Sequence, residues 1–407
     1  MTLRQSERRS AALQLVLLLG LVSAFGDITY ESARSVSGPY LAVLGAGAGM
    51  IGLVSGLGEF IGYALRLLAG YIADRTRVYW VGTFIGYGLL ISIPLLALAN
   101  RWEMAALLLI LERVGKAVRT PSRDAILSHA TQQIGRGWGF ALHEALDQIG
   151  AMIGPLILTA VFLLKGDYRS GFSVLWIPVL LTLLALTVAW RRVPSPESLE
   201  VAADPEAKRA SNDGKLGFAF WAYAAFTFLS VAGFAGFPLI SYHLVVQGVV
   251  PQSQIAILYA VAMGVDAGVA LLAGKAYDRV GLVSLAIIPL LTVAIPLLAF
   301  SAGYGLVLGG IILWGMVMAV HETTMRAAIA DLSASERRGL AYGVFNTVYG
   351  AAWFVGNVAI GWLYGLSPAL ILAYVAAMEV MAVAVFLLAR RTWGATNRMQ
   401  VRHRGSR

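Results

Sequence analysis

Of 407 residues, 58% are hydrophobic and only 13% are charged, which lies far outside the balance of soluble domains and marks a polytopic membrane protein. The chain has no cysteine, which excludes disulfides, thiolate metal sites and cysteine nucleophiles. The net charge of +9 does not signal nucleic-acid binding, because Lys and Arg cluster at alternate breaks between apolar runs, the positive-inside pattern of a membrane protein.

In chain order, the basic residues Arg4, Arg8 and Arg9 precede an apolar run over 11–25. That run continues into Asp27, Glu31 and Arg34 without a small-residue cleavage site, so it reads as a retained first helix and not as a signal peptide. Twelve spans are predicted, at 11–36, 46–73, 79–99, 103–127, 138–164, 171–190, 217–246, 253–275, 282–301, 304–330, 339–363 and 368–390. They divide into a six-helix bundle over 1–190, a polar linker over 191–216 with Pro194, Pro196 and Pro205, a second six-helix bundle over 217–390, and a basic tail over 391–407. The Lys and Arg bias places both termini and the linker in the cytoplasm, with the chain in the cytoplasmic (inner) membrane.

The fourth span contains the most unusual stretch, LERVGKAVRTPSRDA over 111–125. A charge near the middle of a membrane helix costs roughly 2.5–3.5 kcal/mol on insertion scales, so these side chains must face protein or water. Glu112, Lys116, Arg119 and Arg123 share one helical stripe. Depth divides the stretch. Glu112, Arg113 and Lys116 lie near the midplane as a site, whereas Arg119, Arg123 and Asp124 lie past or beside a bend at Pro121 as a cytoplasmic latch. In span 1, Asp27, Glu31 and Arg34 fall on one face, and in span 2 Glu59 falls near the membrane centre above Tyr63 and Arg66. These carboxylates are the candidate proton carriers, with a static ion pair as the alternative at each. In span 5, Glu144 and Asp147 are expected to face the span-4 arginines. His143-Glu144 and His321-Glu322 lack the ligand spacing of a metal site.

The second half is aromatic in tone. Phe234, Trp353 and Asn346, with Arg34, Arg113, Lys116, Asp266 and Glu322, are the candidate cavity residues. Gly47-Ala48-Gly49-Met50-Ile51-Gly52 matches a dinucleotide fingerprint but follows no strand, and no phosphate-binding P-loop occurs. The halves repeat at a nearly constant offset of about 200 residues, the mark of a parallel duplication. Gly70, Asp74 and Arg75 are echoed by Gly274, Asp278 and Arg279; Arg136 by Arg338; Arg123 by Arg326; and Gly154 by Gly356.

A six-plus-six duplication with G-x-x-x-D-R in both central loops resembles the major facilitator superfamily. In the first copy of its loop motif, Arg77 stands where the family has a second glycine; in the second copy Gly281 keeps it. Arg113 matches the arginine of the span-4 motif, although Lys116-Ala117 replaces its usual polar-Gly pair. Gly150, Gly154 and Pro155 match the span-5 G-x-x-x-G-P motif, associated in the family with antiporters. The resemblance implies an all-α membrane fold and a cytoplasmic gate of Gly70, Asp74, Arg75, Arg119, Arg123, Asp124, Arg136, Asp278, Arg279 and Arg326. It also implies a helix-bend motif at Gly150, Gly154 and Pro155.

The expected function is secondary transport by alternating access, with proton-coupled efflux of an amphipathic or organic-ion small molecule. Uptake of a small organic anion is the alternative, which the basic stripe of span 4 keeps open. The expected partners are that small molecule, H+ and the bilayer, with the chain a monomer and no nucleic acid, cofactor or metal. An enzyme would need a nucleophile–base pair or metal site at membrane depth, and none is visible. A non-transporting sensor would bring a soluble domain, for which linker and tail leave little room.

Overall fold

The computed structural model describes residues 5–199, 216–333 and 338–404, with the side chains of 5–7, 136, 137, 326, 330, 338 and 391–404 outside the description. Fourteen α-helices make up nearly all of it, and no strand occurs among the described residues. They are α1 (Gln5–Val43), α2 (Ala48–Thr76), α3 (Tyr79–Gly88), α4 (Trp102–Ile134), α5 (Arg136–Lys165), α6 (Tyr168–Val174), α7 (Trp176–Arg192), α8 (Phe218–Ala232), α9 (Phe237–Val246), α10 (Gln252–Val280), α11 (Ile288–Ala299), α12 (Tyr304–Leu332), α13 (Arg338–Leu366) and α14 (Pro368–Arg404). Most of the linker, residues 200–215, lies outside the described residues, as does the end of the tail.

Nine stretches among the described residues are long and apolar enough to cross a membrane. One of them, Gln252–Ala299, runs for 48 residues and takes in two of the expected spans. The charge-rich α4 and the glycine- and tyrosine-bearing α13 are not among the nine. Leu68, Leu164, Leu271, Leu290 and Leu388 are exposed on the helices, a surface that suits lipid and would be a liability in water.

The chain forms two compact units. The first comprises the described residues of Met1–Gly45, Ile61–Arg209 and Gln252–Ala260; the second those of Ala46–Phe60, Ala210–Pro251 and Val261–Arg407. In the first unit α1 is the hub, packed on α4, α5 and α7. Its apolar face (Leu15, Leu19, Val22) joins Tyr87 and Leu90, Leu127, and Val179 and Leu186 in one core. The glycines of the span-5 motif set the contact with α1. A Cβ at Gly150 would meet the Ala24 carbonyl oxygen at 2.3 Å, and one at Gly154 the Ile28 oxygen at 2.5 Å. Any larger residue would push α5 off α1. In the second unit Gly356 of α13 bears in the same way on the Ala232 oxygen of α8, at 2.4 Å. The duplication is thus present in packing as well as in sequence.

Three expected spans are irregular for local reasons. Span 3 passes from α3 into 3-10 turns at Leu89–Ser92 and Pro94–Leu98. Span 6 begins at Asp167, whose carboxylate caps α6 by accepting the Ser170 backbone N–H at 2.8 Å. That bond holds the Asp167 carboxyl below its ordinary value of 3.8. Span 7 is two helices. Gly233 and Gly236 interrupt it, and Pro238 in the first turn of α9 restarts it. Pro121 and Pro155, by contrast, lie inside α4 and α5 without ending either helix.

The loop motif keeps a positive φ where it loses its glycine. Gly281 has φ +62° and ψ −142°, and Arg77 at the equivalent place has φ +55°, a positive φ that costs a side-chain-bearing residue about 1–3 kcal/mol.

Candidate functional site

The charged stripe of α4 lies against α1 and α3, and its residues sort into two layers. In the upper layer Glu112 is 1% exposed and accepts from Arg119 Nη2 at 3.1 Å, with Arg113 Nε at 3.9 Å from its other oxygen. Arg113 also donates to the Tyr30 hydroxyl. Its guanidinium lies 4.5 Å from the Tyr30 ring centre, the Lys116 ammonium 4.0 Å and the Arg34 guanidinium 5.9 Å from the same centre, three cations gathered on one aromatic ring. The Arg119 guanidinium lies 5.1 Å from the Tyr87 ring centre. In the lower layer Arg123 bonds Asp124 Oδ1 through Nε (3.0 Å) and Nη2 (2.9 Å), and Ser23 through Nη1 (2.9 Å). Ser23 in turn meets the Tyr87 hydroxyl at 2.9 Å and His143 Nε2 at 3.0 Å.

Facing these layers, α1 presents Ser23, Asp27, Tyr30 and Arg34 on one stripe. Asp27 is partly buried and within electrostatic reach of Asp147, Lys116, Glu31 and Arg119. Glu31 is buried, accepts from the Tyr259 hydroxyl and lies 3.8 Å from Arg34 Nη1. One carboxylate surrounded by both signs of charge, near an aromatic ring that carries cations, can exchange a proton and bind a charged or polar group in the same space.

The placements refine several expectations. Arg119, expected at the cytoplasmic latch, belongs to the upper layer: it is 3% exposed and paired with Glu112. Both residues precede Pro121 and stand two turns apart on one face of α4, so the Arg119 side chain stays on the Glu112 face. Glu112 is consumed by that pair. Arg123 and Asp124 lie together in the lower layer, bonded to each other, with Arg123 also bonded to Ser23 of α1. Asp74 and Arg75 are exposed at the end of α2, where Arg75 donates to Tyr71 at 2.8 Å, and Asp278 and Arg279 are exposed at the end of α10. The side chains of Arg136 and Arg326 lie outside the described residues. Gly70 lies against Pro121, with room for a Cβ at 3.6 Å. Gly150 and Gly154 serve close packing and Pro155 rides within an unbroken α5.

Glu59 is buried on the part of α2 that belongs to the second unit, and Arg66 covers the Tyr63 ring at 4.5 Å in the first. Within the second unit Phe234 and Trp353 are core residues. Phe234 stacks on Trp314 at 5.5 Å and meets Trp353 edge-on at 5.5 Å, with His321 and Tyr349 completing the cluster. Both are buried, because they pack around the break in span 7 instead of lining an open surface. Asp266 is buried, and Glu322 and Asn346 are partly buried. Asn357 closes the break. Its Oδ1 accepts the Gly236 N–H at 3.1 Å and its Nδ2 donates to the Trp353 carbonyl at 2.8 Å, while Trp314 Nε1 donates to the Ala235 carbonyl at 2.9 Å. A Cβ at Gly236 would lie 2.2 Å from Asn357 Oδ1. Among the described residues, no group of three or more His, Asp or Glu side chains is placed to hold a metal ion.

Tyr30, Tyr87, Ser23 and Tyr259 are the participants that sequence reading passed over. Tyr30 and Ser23 were within reach of it, since they complete the helical stripe that Asp27 and Arg34 define. Tyr87 and Tyr259 sit in apolar runs with nothing local to set them apart.

Comparisons with known proteins bear on the family and the fold. The family model for the Major Facilitator Superfamily matches residues 16–357 and again 250–402. An uncharacterised protein of Mycobacterium tuberculosis is 42% identical over 386 residues, covering 93% of this chain and 94% of its own. An uncharacterised MFS-type transporter of Methanocaldococcus jannaschii is 28% identical over 380 residues, covering 90% of this chain and 92% of its own. Among solved structures, a bacterial homolog of the human lysosomal transporter Spinster, inward-facing and unoccupied, superposes with a TM-score of 0.69 at 15% identity, covering 96% of this chain and 98% of that one. The chain is therefore a multi-pass membrane protein that belongs to the major facilitator superfamily.

Proposed function

We propose that the protein is a secondary active transporter that exports an amphipathic or organic-ion small molecule in exchange for protons, by alternating access. The observation that carries this reading is the position of Asp27, partly buried on α1 and facing Lys116, Arg119, Glu31 and Asp147. An ionised Asp27 can hold a cationic or hydrogen-bond-donating group of the substrate beside Lys116 and the Tyr30 ring. Binding a proton at Asp27 removes that negative charge and releases the group, and loss of the proton restores the hold, so proton and substrate occupy the site in turn. One carboxyl thus links proton occupancy to substrate affinity. Glu31, bonded to Tyr259 and near Arg34, and Glu59 are the further coupling candidates. The span-5 glycine motif and its family association with antiporters favour export. In this reading twelve spans form two bundles of six, the termini are cytoplasmic, the chain works as a monomer in the inner membrane, and the exposed loop motifs at Asp74 and Asp278 serve a cytoplasmic gate.

A second reading, uptake of a small organic anion, draws on Arg113 and Lys116 gathered at the Tyr30 ring. Everted membrane vesicles separate the two. With the lumen acidified and reported by a pH-sensitive dye, an exported substrate dissipates the gradient on addition and accumulates inside. Substrates that enter only with the anion-uptake polarity would overturn the export reading.

A further inference from the structure

The apolar stretch Pro368–Arg390 of α14 contains one acid, Glu379, at its middle. The residue is 1% exposed. Its Oε1 accepts from Ser230 Oγ at 3.3 Å, and its buried Oε2 has no hydrogen-bond partner. The elements packed against α14 are α8, α11, α13 and the turn Gly281–Ile287. Among them, α11 and the turn carry no titratable side chain, α8 carries Tyr223, and α13 carries Tyr342, Tyr349 and Tyr364 with Arg338 as its first residue. On α14 itself the neighbours along the apolar stretch are Tyr374 and, at its end, Arg390. No ion pair to Glu379 occurs among the described residues.

The carboxyl has a definite neighbour in the interrupted span. A Cβ on Gly233 would come within 2.9 Å of Glu379 Oε1, so the acid lies against the last turn of α8. That turn ends in backbone carbonyls and carries the negative end of the helix dipole. An ionised carboxylate there would face like charge with one long, neutral hydrogen bond and no counter-charge. A neutral acid, with an O–H to donate, is complementary to the same surface. A metal cation would need several oxygen ligands, and the side chains present offer the two of Glu379 and the one of Ser230. We propose that Glu379 is a proton-binding site of the second unit, where the neutral carboxyl closes the C-terminal end of α8 at the break in span 7. The site is separate from the Asp27 cluster and does not depend on the transport reading.

The test is infrared spectroscopy of the full-length protein in detergent, without substrate or gradient, on the parent chain and on Glu379→Gln. The expected result is a protonated-carboxyl C=O band at neutral pH that shifts in D2O, is lost in Glu379→Gln and moves in Ser230→Ala. Loss of an ionised-carboxylate band in Glu379→Gln instead would overturn the proposal. If Glu379→Gln does not fold, the parent chain decides alone. A carbodiimide selective for protonated carboxyls in apolar surroundings should modify Glu379 at neutral pH, read by mass spectrometry of the α14 peptide. No adduct at Glu379, under conditions where another buried acid of this chain reacts, refutes the site.

Discussion

Replacing Glu112 by Ala removes the acceptor that holds Arg119. The arginine is 3% exposed, its Nη2 bonds Glu112 at 3.1 Å, and its Nη1 already lacks a hydrogen-bond partner. The substitution therefore leaves a guanidinium desolvated and without its bonded carboxylate, with the Tyr87 ring at 5.1 Å and Asp27 within electrostatic reach but not bonded to it. Removing one member of a buried pair costs about 3–5 kcal/mol, a large share of a net stability of about 5–15 kcal/mol. If the first unit melts as a domain of roughly 200 residues, at about 2–4 °C per kcal/mol, the melting temperature should fall on the order of 10 °C. The double variant Glu112→Leu, Arg119→Leu should recover most of that loss, because an apolar pair of similar volume replaces both charges without leaving either stranded. Thermal unfolding in detergent, followed by tryptophan fluorescence, measures all three proteins. Equal melting temperatures for Glu112→Ala and the double variant would show that no stranded charge is involved and would refute the pairing.

Arg77→Gly should raise stability by about 1 kcal/mol, because the positive φ of +55° suits glycine without strain; a shift of melting temperature in the opposite direction would count against strain at Arg77. Asn357→Leu should cost about 1–3 kcal/mol by leaving the Gly236 N–H unmet at the span-7 break, and thermal melting would register it. Asp167, held below its ordinary value by the Ser170 N–H, should contribute cap stability that is fully present above its ordinary titration range. That contribution fades as pH falls through its lowered native value, so the protection of the Ser170 amide, the unfolded exchange rate over the observed rate at the same pH, should fall at acid pH in the parent chain and be low at every pH in Asp167→Ala.

Much of the fold was legible because membrane spans are written in composition: runs of apolar residues, alternate basic breaks and one repeat. The errors are local. Span 7 was read as continuous because its mean character is apolar throughout. Gly233, Gly236 and Pro238 act only together, and the groups that repair the break, Trp314 and Asn357, lie about 80 and 120 residues away. Within α4, spacing placed the charged stripe, but spacing along one helix does not say which neighbour claims each charge. Arg119 turned out to pair with Glu112, and Phe234 and Trp353 with the aromatic core, because burial is decided by facing helices. Glu379 went unmarked in an otherwise apolar span, although a mid-membrane acid is by itself the kind of signal that singled out Asp27 and Glu59.

The central claim is that Asp27 couples proton movement to substrate movement. Proton flux and substrate flux should be measured together in proteoliposomes of the parent chain and of Asp27→Asn, for substrates found in a screen of organic ions. The account predicts substrate-driven proton movement in the parent chain and its loss in Asp27→Asn, with substrate exchange between the two sides retained. Unchanged substrate-linked proton flux in Asp27→Asn would contradict it, as would substrate flux in the parent chain that ignores the pH gradient.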